Sequence, residues 1–211
     1  MAALEYLKDP QAIYDASFAI VRDEADLAAL PASLESVAVR MIHACGMTDI
    51  TDNLRFNPDV AERAGAALKS GAPVLADCEA VAAAITRDFL PAQNEVICTL
   101  NDARTPELAK TNATTRSAAA VSLWEDRLEG AVIVIGNAPT TLFALLELLD
   151  EGAVKPAAII ATPVGFVGAA ESKAELASNS RGVPFLTLLG RRGGSAMAAA
   201  ALNAIALGTK A

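Results

Sequence analysis

The chain has 211 residues, of which 53% are hydrophobic and 4% are aromatic, and its formal net charge is −8. This length suits one large domain or two small ones, and the hydrophobic content is ample for a core. The acidic balance and the scarcity of aromatic side chains exclude a typical nucleic-acid-binding protein, which needs a basic face and stacking rings.

The first predicted element is a helix near the N-terminus. Asp9-Pro10 is typical of a helix start, because proline is tolerated in the first turn, and the helix is predicted to run to about Leu27. Tyr14 and Ser17 are three residues apart within it, so they share one face.

A second helix, which follows Pro31 and ends at Gly46, contains His43, the only histidine of the chain. Its apolar residues recur at helical spacing and form one stripe: Leu34, Val37, Ala38, Met41, Ile42 and Cys45. At about 100° per residue, Arg40 and His43 point away from that stripe. Spacing leaves two interpretations open: a solvated surface histidine, or the one group suited to proton transfer near neutral pH.

The remaining chain is predicted to alternate between strands and helices. A polar loop or short strand from Met47 to Phe56 and a helix from Asn57-Pro58 to Gly71 come first. Five apolar runs then predict strands: Val74–Ala76, Val96–Leu100, Val132–Ile135, Ala158–Ala161 and Phe185–Leu189. A helical stretch follows each one: Cys78–Asp88, Thr114–Leu128, Thr140–Leu149, Ala169–Ser178 and Gly194–Leu207.

Strands that alternate with helices in this way indicate parallel crossovers. We therefore predict an α/β fold in three layers: a doubly wound, mostly parallel five-stranded sheet of the flavodoxin-like type, in the order 2-1-3-4-5. Residues 1–70 would form an N-terminal helical extension packed on this sheet, and residues 1–211 would form a single domain.

A doubly wound sheet binds its ligands outside the carboxyl ends of the strands. The predicted ends are Asp77, Thr99–Asn101, Gly136–Pro139, Thr162–Gly165 and Gly190–Gly194. Glycines there allow close approach of a ligand to the backbone, although ordinary turns use glycine too. None of these segments matches a P-loop or the GxGxxG pattern, so a nucleotide site has little support.

The cysteines and the apolar runs of the sequence indicate the cellular compartment and limit the kinds of site that the chain can form. Cys45, Cys78 and Cys98 are far apart and odd in number, which favours a reducing, cytoplasmic setting over a disulfide framework. With one histidine and no CxxC pair, we expect no structural metal site. No run of about 18 strongly apolar residues predicts a membrane span, and the N-terminus lacks the apolar segment of a secretory signal.

Six stretches carry a family resemblance when they are taken together in chain order. They read VRMIHACG, NEVICTL, NATTRSAAA, VIGNAPTTLF, PVGFVGAAESK and GVPF, the last followed by GRRGGSAMAAAALNA. This ordered set resembles the precorrin-8X methylmutase family of cobalamin biosynthesis, from about Ala12 to Ala206. GNAPT and GFVGAAESK are intact, which makes the resemblance specific.

The resemblance implies an isomerase that moves a methyl group between adjacent carbons of ring C, from carbon 11 to carbon 12. Precorrin-8X would become hydrogenobyrinate by a sigmatropic shift that needs neither a metal nor an organic cofactor. The resemblance also implies an α/β fold and a homodimer whose site lies near the subunit interface, with a tetrapyrrole as the bound partner.

The resemblance further implies roles for particular residues. The residue matching His43 donates or accepts a proton, and those matching Ser17 and Arg40 contact the substrate. Thr86, in AITR, and Arg116, in TTRSAAA, are also associated with the site. The full set of expected substrate-binding residues is Tyr14, Ser17, Arg40, Thr86, Arg116, Gly136, Asn137 and Gly165.

General chemistry is compatible with this assignment. Tetrapyrrole precursors carry many carboxylates, and Arg40 and Arg116 can pair with carboxylates in a bidentate manner. The net charge of −8 opposes a polyanionic ligand. We expect a local basic pocket and the amides of the glycine-rich loops to outweigh this diffuse charge, which is screened within about 8–10 Å.

Three alternatives remain open at this stage. One is a cobalt-precorrin-8 methylmutase of the anaerobic pathway. Another is a non-catalytic corrinoid carrier, which would use the same loops and arginines without needing His43. A generic flavodoxin-like nucleotide binder is the least supported of the three.

Overall fold

A six-stranded sheet with helices on both faces forms the frame of the computed structural model, which describes residues 4–210 apart from the side chain of Glu125. The strands are β1 (Leu54–Phe56), β2 (Val74–Ala76), β3 (Val96–Cys98), β4 (Val132–Ile135), β5 (Ala158–Ala161) and β6 (Phe185–Leu188). The helices are α1 (Pro10–Glu24), α2 (Ala32–Cys45), α3 (Val60–Lys69), α4 (Glu79–Ala84), α5 (Thr105–Thr111), α6 (Arg116–Ala119), α7 (Pro139–Asp150), α8 (Ala169–Ser178) and α9 (Ser195–Gly208).

The strands lie in the order β1-β6-β5-β4-β2-β3. The last five are mutually parallel and, counted along the chain, lie in the order 2-1-3-4-5. β1 pairs antiparallel with β6, with Leu54 opposite Leu188. The predicted count of five strands is therefore wrong. β1 lies within Met47–Phe56, where a loop or a short strand was predicted. In it a buried leucine is followed by an exposed arginine, so it lacks the continuous apolar run by which the other strands were recognised.

Alternate residues of each central strand face two different cores, as strand geometry requires. Val132 and Val134 belong to a core that also contains residues of α2, α3, α4 and α9. Ile133 and Ile135 belong to a second core, which also contains residues of α7 and α8. The sheet is therefore covered on both faces, and its carboxyl edge is left for ligands.

The N-terminal helices differ in how they join this frame. α2 packs on α9, whose alanine-rich surface suits close helix contact. α1 is the actual extension, because Val21 is its only buried residue in the described chain. Asp9 caps α1 by accepting a hydrogen bond from the amide of Ala12 at 2.7 Å, and Gly46 ends α2 in the left-handed conformation with φ of +69°.

The largest departure from the predicted helices lies between β3 and β4. The sequence predicts a single helix over Thr114–Leu128. The structure instead has α6, which is a single turn, followed by a 3-10 helix over Ala120–Arg127, and it has a further helix, α5, before them. Val121 and Trp124 are both buried, and a 3-10 helix places residues three apart on the same side. Burial of the only tryptophan therefore fits the tighter winding of this segment.

Candidate active site

His43 lies in the last turn of α2 with its side chain exposed, and α1 supplies its neighbours. The Ser17 hydroxyl oxygen is 2.8 Å from the Nδ1 atom of His43. The ring of Tyr14 is 5.5 Å from the imidazole, and the ring of Phe18 meets it edge-on at 5.3 Å. Tyr14, Ser17 and Phe18 are spaced by three and four residues, so one face of α1 positions all of them.

A cavity of about 190 Å³ opens beside this cluster. Its lining residues are Ser17, Ile20, Val21, Glu24, Ile42, His43, Gly46 and Thr48. The imidazole therefore borders open space instead of being enclosed by aliphatic side chains. The volume is below the range of roughly 300–1,000 Å³ that holds a whole drug-sized ligand, so this cavity is too small to enclose a ligand of that size. A larger groove between α2, α3 and α9, of about 430 Å³, contains none of the predicted site residues.

Arg40 lies one turn before His43 on α2 and is half-buried between two aromatic rings. Its guanidinium carbon is 5.4 Å from the ring centre of Phe18 and 5.9 Å from that of Phe89. None of the carboxylates that the structure describes pairs with it. The rings attract the cation without accepting conventional hydrogen bonds, so its N–H groups stay available for an anionic ligand.

Thr86 joins this region through Phe89. It immediately precedes the 3-10 helix Arg87–Phe89, and its carbonyl accepts a hydrogen bond from the amide of Phe89 at 3.0 Å. The Thr86 amide itself donates to the Asn203 side chain of α9 at 3.0 Å, and the Thr86 side chain is exposed. α9 thus fixes the segment that places one of the two rings against Arg40.

Arg116 occupies a different place, at the carboxyl end of β3. It begins α6, whose capping residue Thr115 accepts a hydrogen bond from the amide of Ala118 at 3.1 Å. Its Nη2 atom donates to the carbonyl of Leu100 and to the side chain of Asn101, both at 2.9 Å. The guanidinium is exposed, so part of its N–H array remains open to solvent.

The backbone amides of the loop after β4 bind the carboxylate of Asp77. The carboxylate of Asp77, at the end of β2, accepts hydrogen bonds from the amides of Gly136 at 3.0 Å, Asn137 at 2.8 Å and Ala138 at 2.8 Å. A Cβ atom on Gly136 would lie 2.6 Å from the Cα of Ser195, so only glycine fits this contact with α9. These amides are therefore occupied, and Asn137 offers its exposed side chain to the outside.

Gly165 belongs to a pair of loops at the carboxyl ends of neighbouring strands, the β5 loop (Thr162–Gly168) and the β6 loop (Gly190–Gly194). The amide of Gly165 donates to the carbonyl of Arg191 at 3.1 Å, and the amide of Gly194 donates to the carbonyl of Thr162 at 2.8 Å. Lys173 of α8 is fully buried and donates to the carbonyl of Arg192 at 2.6 Å. Burial lowers the pKa of Lys173 to about 8.

The β6 loop also contacts the segment that follows α2. Arg192 donates to the carboxylate of Asp49 at 2.7 Å, and this bond holds the pKa of Asp49 below its usual range. Asp49 comes three residues after Gly46, where α2 ends. The end of α2 that carries His43 therefore lies on the side of the carboxyl end of β6.

The predicted residues thus form two groups. Tyr14, Ser17 and His43 are in direct contact, and Arg40 and Thr86 join them through Phe18 and Phe89. Arg116, Gly136, Asn137 and Gly165 line the carboxyl edge of the sheet. No hydrogen bond or ring contact within residues 4–210 links a member of one group directly to a member of the other.

Sequence reasoning missed three contributors to these groups. Phe18 was detectable, because it lies four residues from Tyr14 on the face already identified. Phe89 carried no local signal, since it meets Arg40 only through the tertiary fold. Asp77 was recognised as a strand end, but its amide partners lie about sixty residues further along the chain.

Comparisons with known proteins give a consistent assignment. The family model described as precorrin-8X methylmutase matches residues 12–207. A precorrin-8X methylmutase from Pseudomonas aeruginosa is 60% identical over 96% of this chain and 98% of its own length. A cobalt-precorrin-8 methylmutase from Priestia megaterium is 35% identical over 94% of this chain and 88% of its own.

Among solved structures, the precorrin-8X methylmutase from Thermus thermophilus superposes with a TM-score of 0.83 at 36% sequence identity, and it covers 93% of this chain and 94% of its own. The match of the family model spans nearly all of the sequence, and the structural likeness extends over the same length. The chain therefore belongs to the precorrin-8X methylmutase family.

Proposed function

We propose that this chain moves the methyl group from carbon 11 to carbon 12 of ring C in precorrin-8X, giving hydrogenobyrinate, with His43 as the acid–base residue. The chain is an isomerase, a methylmutase of cobalamin biosynthesis, as its family membership indicates. The observation that supports the choice of residue is the contact of 2.8 Å between Ser17 and Nδ1 of His43 beside an open cavity.

In this mechanism the methyl group migrates within the substrate, and the protein transfers only a proton. Ser17 engages Nδ1 of the imidazole, so Nε2 is the nitrogen that serves the substrate. A proton given by Nε2 to a ring nitrogen would polarise the conjugated system, lower the barrier to migration and return once the new bond is formed. No atom other than this proton is exchanged with the enzyme.

The arginines would recognise the carboxylates at the edge of the substrate. Among the side chains that the structure describes, Arg40 has no carboxylate partner, and Arg116 is bonded only to a carbonyl and an amide oxygen. Both therefore retain N–H groups for bidentate pairing. Tyr14, Thr86, Asn137 and Gly165 are further substrate contacts in this proposal, and Gly136 contributes by its close approach to α9.

The proposal includes a homodimer, in which the site of one subunit is completed near the interface. Two observations support this: the two groups of site residues do not touch directly, and α1 exposes Ile13, Tyr14 and Ile20 beside the histidine cavity. Sedimentation of the purified protein should give the mass of a dimer. A fully active monomer would contradict this part of the proposal.

Metal-free precorrin-8X is preferred to the cobalt-containing substrate. Identity to the relative named for the metal-free substrate is 60%, against 35% for the relative named for the cobalt form. The mass and absorbance spectra of any pigment that copurifies would test this point. A metal-free orange corrinoid supports the choice, whereas a cobalt-containing pigment favours the anaerobic reaction.

The setting of the enzyme is also part of the proposal. We expect a single domain over residues 1–211 in the cytoplasm, a location that the free thiols of Cys45, Cys78 and Cys98 support. No helix within residues 4–210 is both long and apolar enough to cross a membrane.

The decisive experiment replaces His43 with alanine. Loss of a general acid is expected to lower kcat by roughly 10² or more, while binding of hydrogenobyrinate persists. Ser33→Ala, at the exposed start of the same helix, serves as the matched control and should retain wild-type turnover. If His43→Ala turns over like wild type, the histidine has no acid–base role, and if wild type binds the corrinoid without converting it, the chain is a carrier.

A further inference from the structure

The β5 loop exposes an unusual amount of apolar surface. Phe166 and Val167 are 84% and 88% exposed, more than any other large hydrophobic residue in residues 4–210. Val164 of the same loop is 45% exposed. All three come from PVGFVG, directly after the end of β5, which is the edge where a doubly wound sheet binds ligands.

A positively charged side chain, that of Arg191, lies next to this apolar surface. The guanidinium carbon of Arg191, in the β6 loop, lies 5.4 Å from the ring centre of Phe166. Within the described chain Arg191 pairs with no carboxylate, whereas its neighbour Arg192 is committed to Asp49. The cation–π contact with this ring favours one position of the guanidinium without using its N–H groups.

The backbone under these side chains is firmly tied. The two loops are joined by the hydrogen bonds from Gly165 to Arg191 and from Gly194 to Thr162, at 3.1 Å and 2.8 Å. A Cβ atom on Gly193 would lie only 2.1 Å from the carbonyl oxygen of Thr162, so the backbones of the two loops are in direct contact. The buried Lys173 donates a hydrogen bond to the carbonyl of Arg192, the residue after Arg191. Phe166 and Arg191 are thus exposed on a preorganised base, which lowers the entropic cost of binding a ligand.

The ligand that fits this surface has an apolar face and an anionic edge. A tetrapyrrole precursor combines a flat conjugated macrocycle with peripheral carboxylates, so the ring and valines match the macrocycle while the guanidinium matches a carboxylate. We propose that Phe166 and Arg191 form a carboxylate-binding subsite for the substrate, separate from Arg40 and Arg116. This inference rests on the proposed function, because it assumes that a corrinoid occupies the carboxyl edge of the sheet.

Arg191 acts in this subsite as a bidentate donor to one peripheral carboxylate, and Phe166 supports the guanidinium and covers part of the macrocycle. Neither side chain takes part in the proton transfer. Their removal should therefore weaken binding and raise KM, and kcat at saturating substrate should stay close to the wild-type value.

The test measures the Kd of hydrogenobyrinate by its absorbance change. Arg191→Ala should weaken binding about tenfold, because a charge-assisted hydrogen bond is lost. Arg191→Lys should weaken it about threefold, since the charge remains while the planar fork is lost, and Phe166→Ala should do so to a similar extent. Arg63→Ala is the control, because it removes one exposed guanidinium from α3, where Arg63 pairs with Asp59.

A second ligand distinguishes a carboxylate contact from a general loss of positive charge. Hydrogenobyrinate whose peripheral carboxylates have been converted to amides should bind wild type and Arg191→Ala with nearly equal affinity. Equal affinity of the two proteins for the unmodified ligand would overturn the subsite and leave the proposed function intact, provided that wild type turns over precorrin-8X. A change of Arg191→Ala from dimer to monomer would also overturn it, since these residues would then be subunit contacts. Failure of wild type to bind hydrogenobyrinate would refute the proposed function and this subsite together.

Discussion

Replacing Ser17 with alanine should slow the reaction much less than replacing His43. Ser17 shares one hydrogen bond, at 2.8 Å, with the Nδ1 atom of the imidazole. A bond of this kind contributes about 0.5–1.5 kcal/mol, which corresponds to a decrease in kcat of roughly 2- to 12-fold. Tyr14 and Phe18 remain in place at 5.5 Å and 5.3 Å from the ring, so the imidazole keeps most of its orientation.

The assay follows the absorbance change of precorrin-8X in single-turnover experiments with wild type, Ser17→Ala, His43→Ala and the double variant. If Ser17 acts only through the imidazole, the double variant should be no slower than His43→Ala alone. Ser178→Ala removes a hydroxyl that bonds a backbone carbonyl at the end of α8, and it should leave kcat unchanged. The reasoning is refuted if the two single effects multiply in the double variant, or if Ser17→Ala is as slow as His43→Ala.

Three further predictions follow from individual contacts. Asp77→Asn keeps one oxygen for the amides of Gly136, Asn137 and Ala138 but places a donor against at least one of them, so it should lower the free energy of unfolding by about 1.5–3 kcal/mol. A urea midpoint equal to that of wild type would contradict the anchoring role of Asp77. Burial lowers the pKa of Lys173 from 10.5 to about 8, so between these pH values the folded chain binds fewer protons than the unfolded chain and gains stability as the pH rises. Urea titrations at several pH values should show this gain in wild type and not in Lys173→Met; parallel pH profiles would rule it out. Arg40→Lys should weaken hydrogenobyrinate binding, because a fork held between two rings becomes a mobile point charge, and an unchanged Kd would exclude a direct carboxylate contact.

The sequence contained much of this architecture because its local signals agree with the tertiary fold. The four residues of β4 and of β5 are buried throughout, and each strand reads as an apolar run. Asp9 and Gly46 mark helix ends by capping chemistry that acts within a few residues. The outward direction of His43 followed from helical periodicity alone, and its exposure confirms it.

What the sequence did not reveal depends on contacts between distant segments. β1 exists because Leu54–Phe56 pairs with the edge of β6, more than a hundred residues later in the chain. The winding of Ala120–Arg127 goes with the burial of Trp124, which helix propensity does not encode. The neighbours of Arg40 come from α1 and from the segment after α4, so no local pattern could have brought the two rings together.

The three amides that close on Asp77 have a consequence for what this architecture can host. In many doubly wound proteins the corresponding turn offers its N–H groups to the phosphate of a nucleotide. Here the carboxylate of Asp77, at the end of the adjacent strand, already accepts hydrogen bonds from these N–H groups. A phosphate could therefore bind there only by displacing that carboxylate. To engineer a nucleotide site on this fold, Asp77 would first have to be replaced by a residue without a carboxylate, so that the three amides are free.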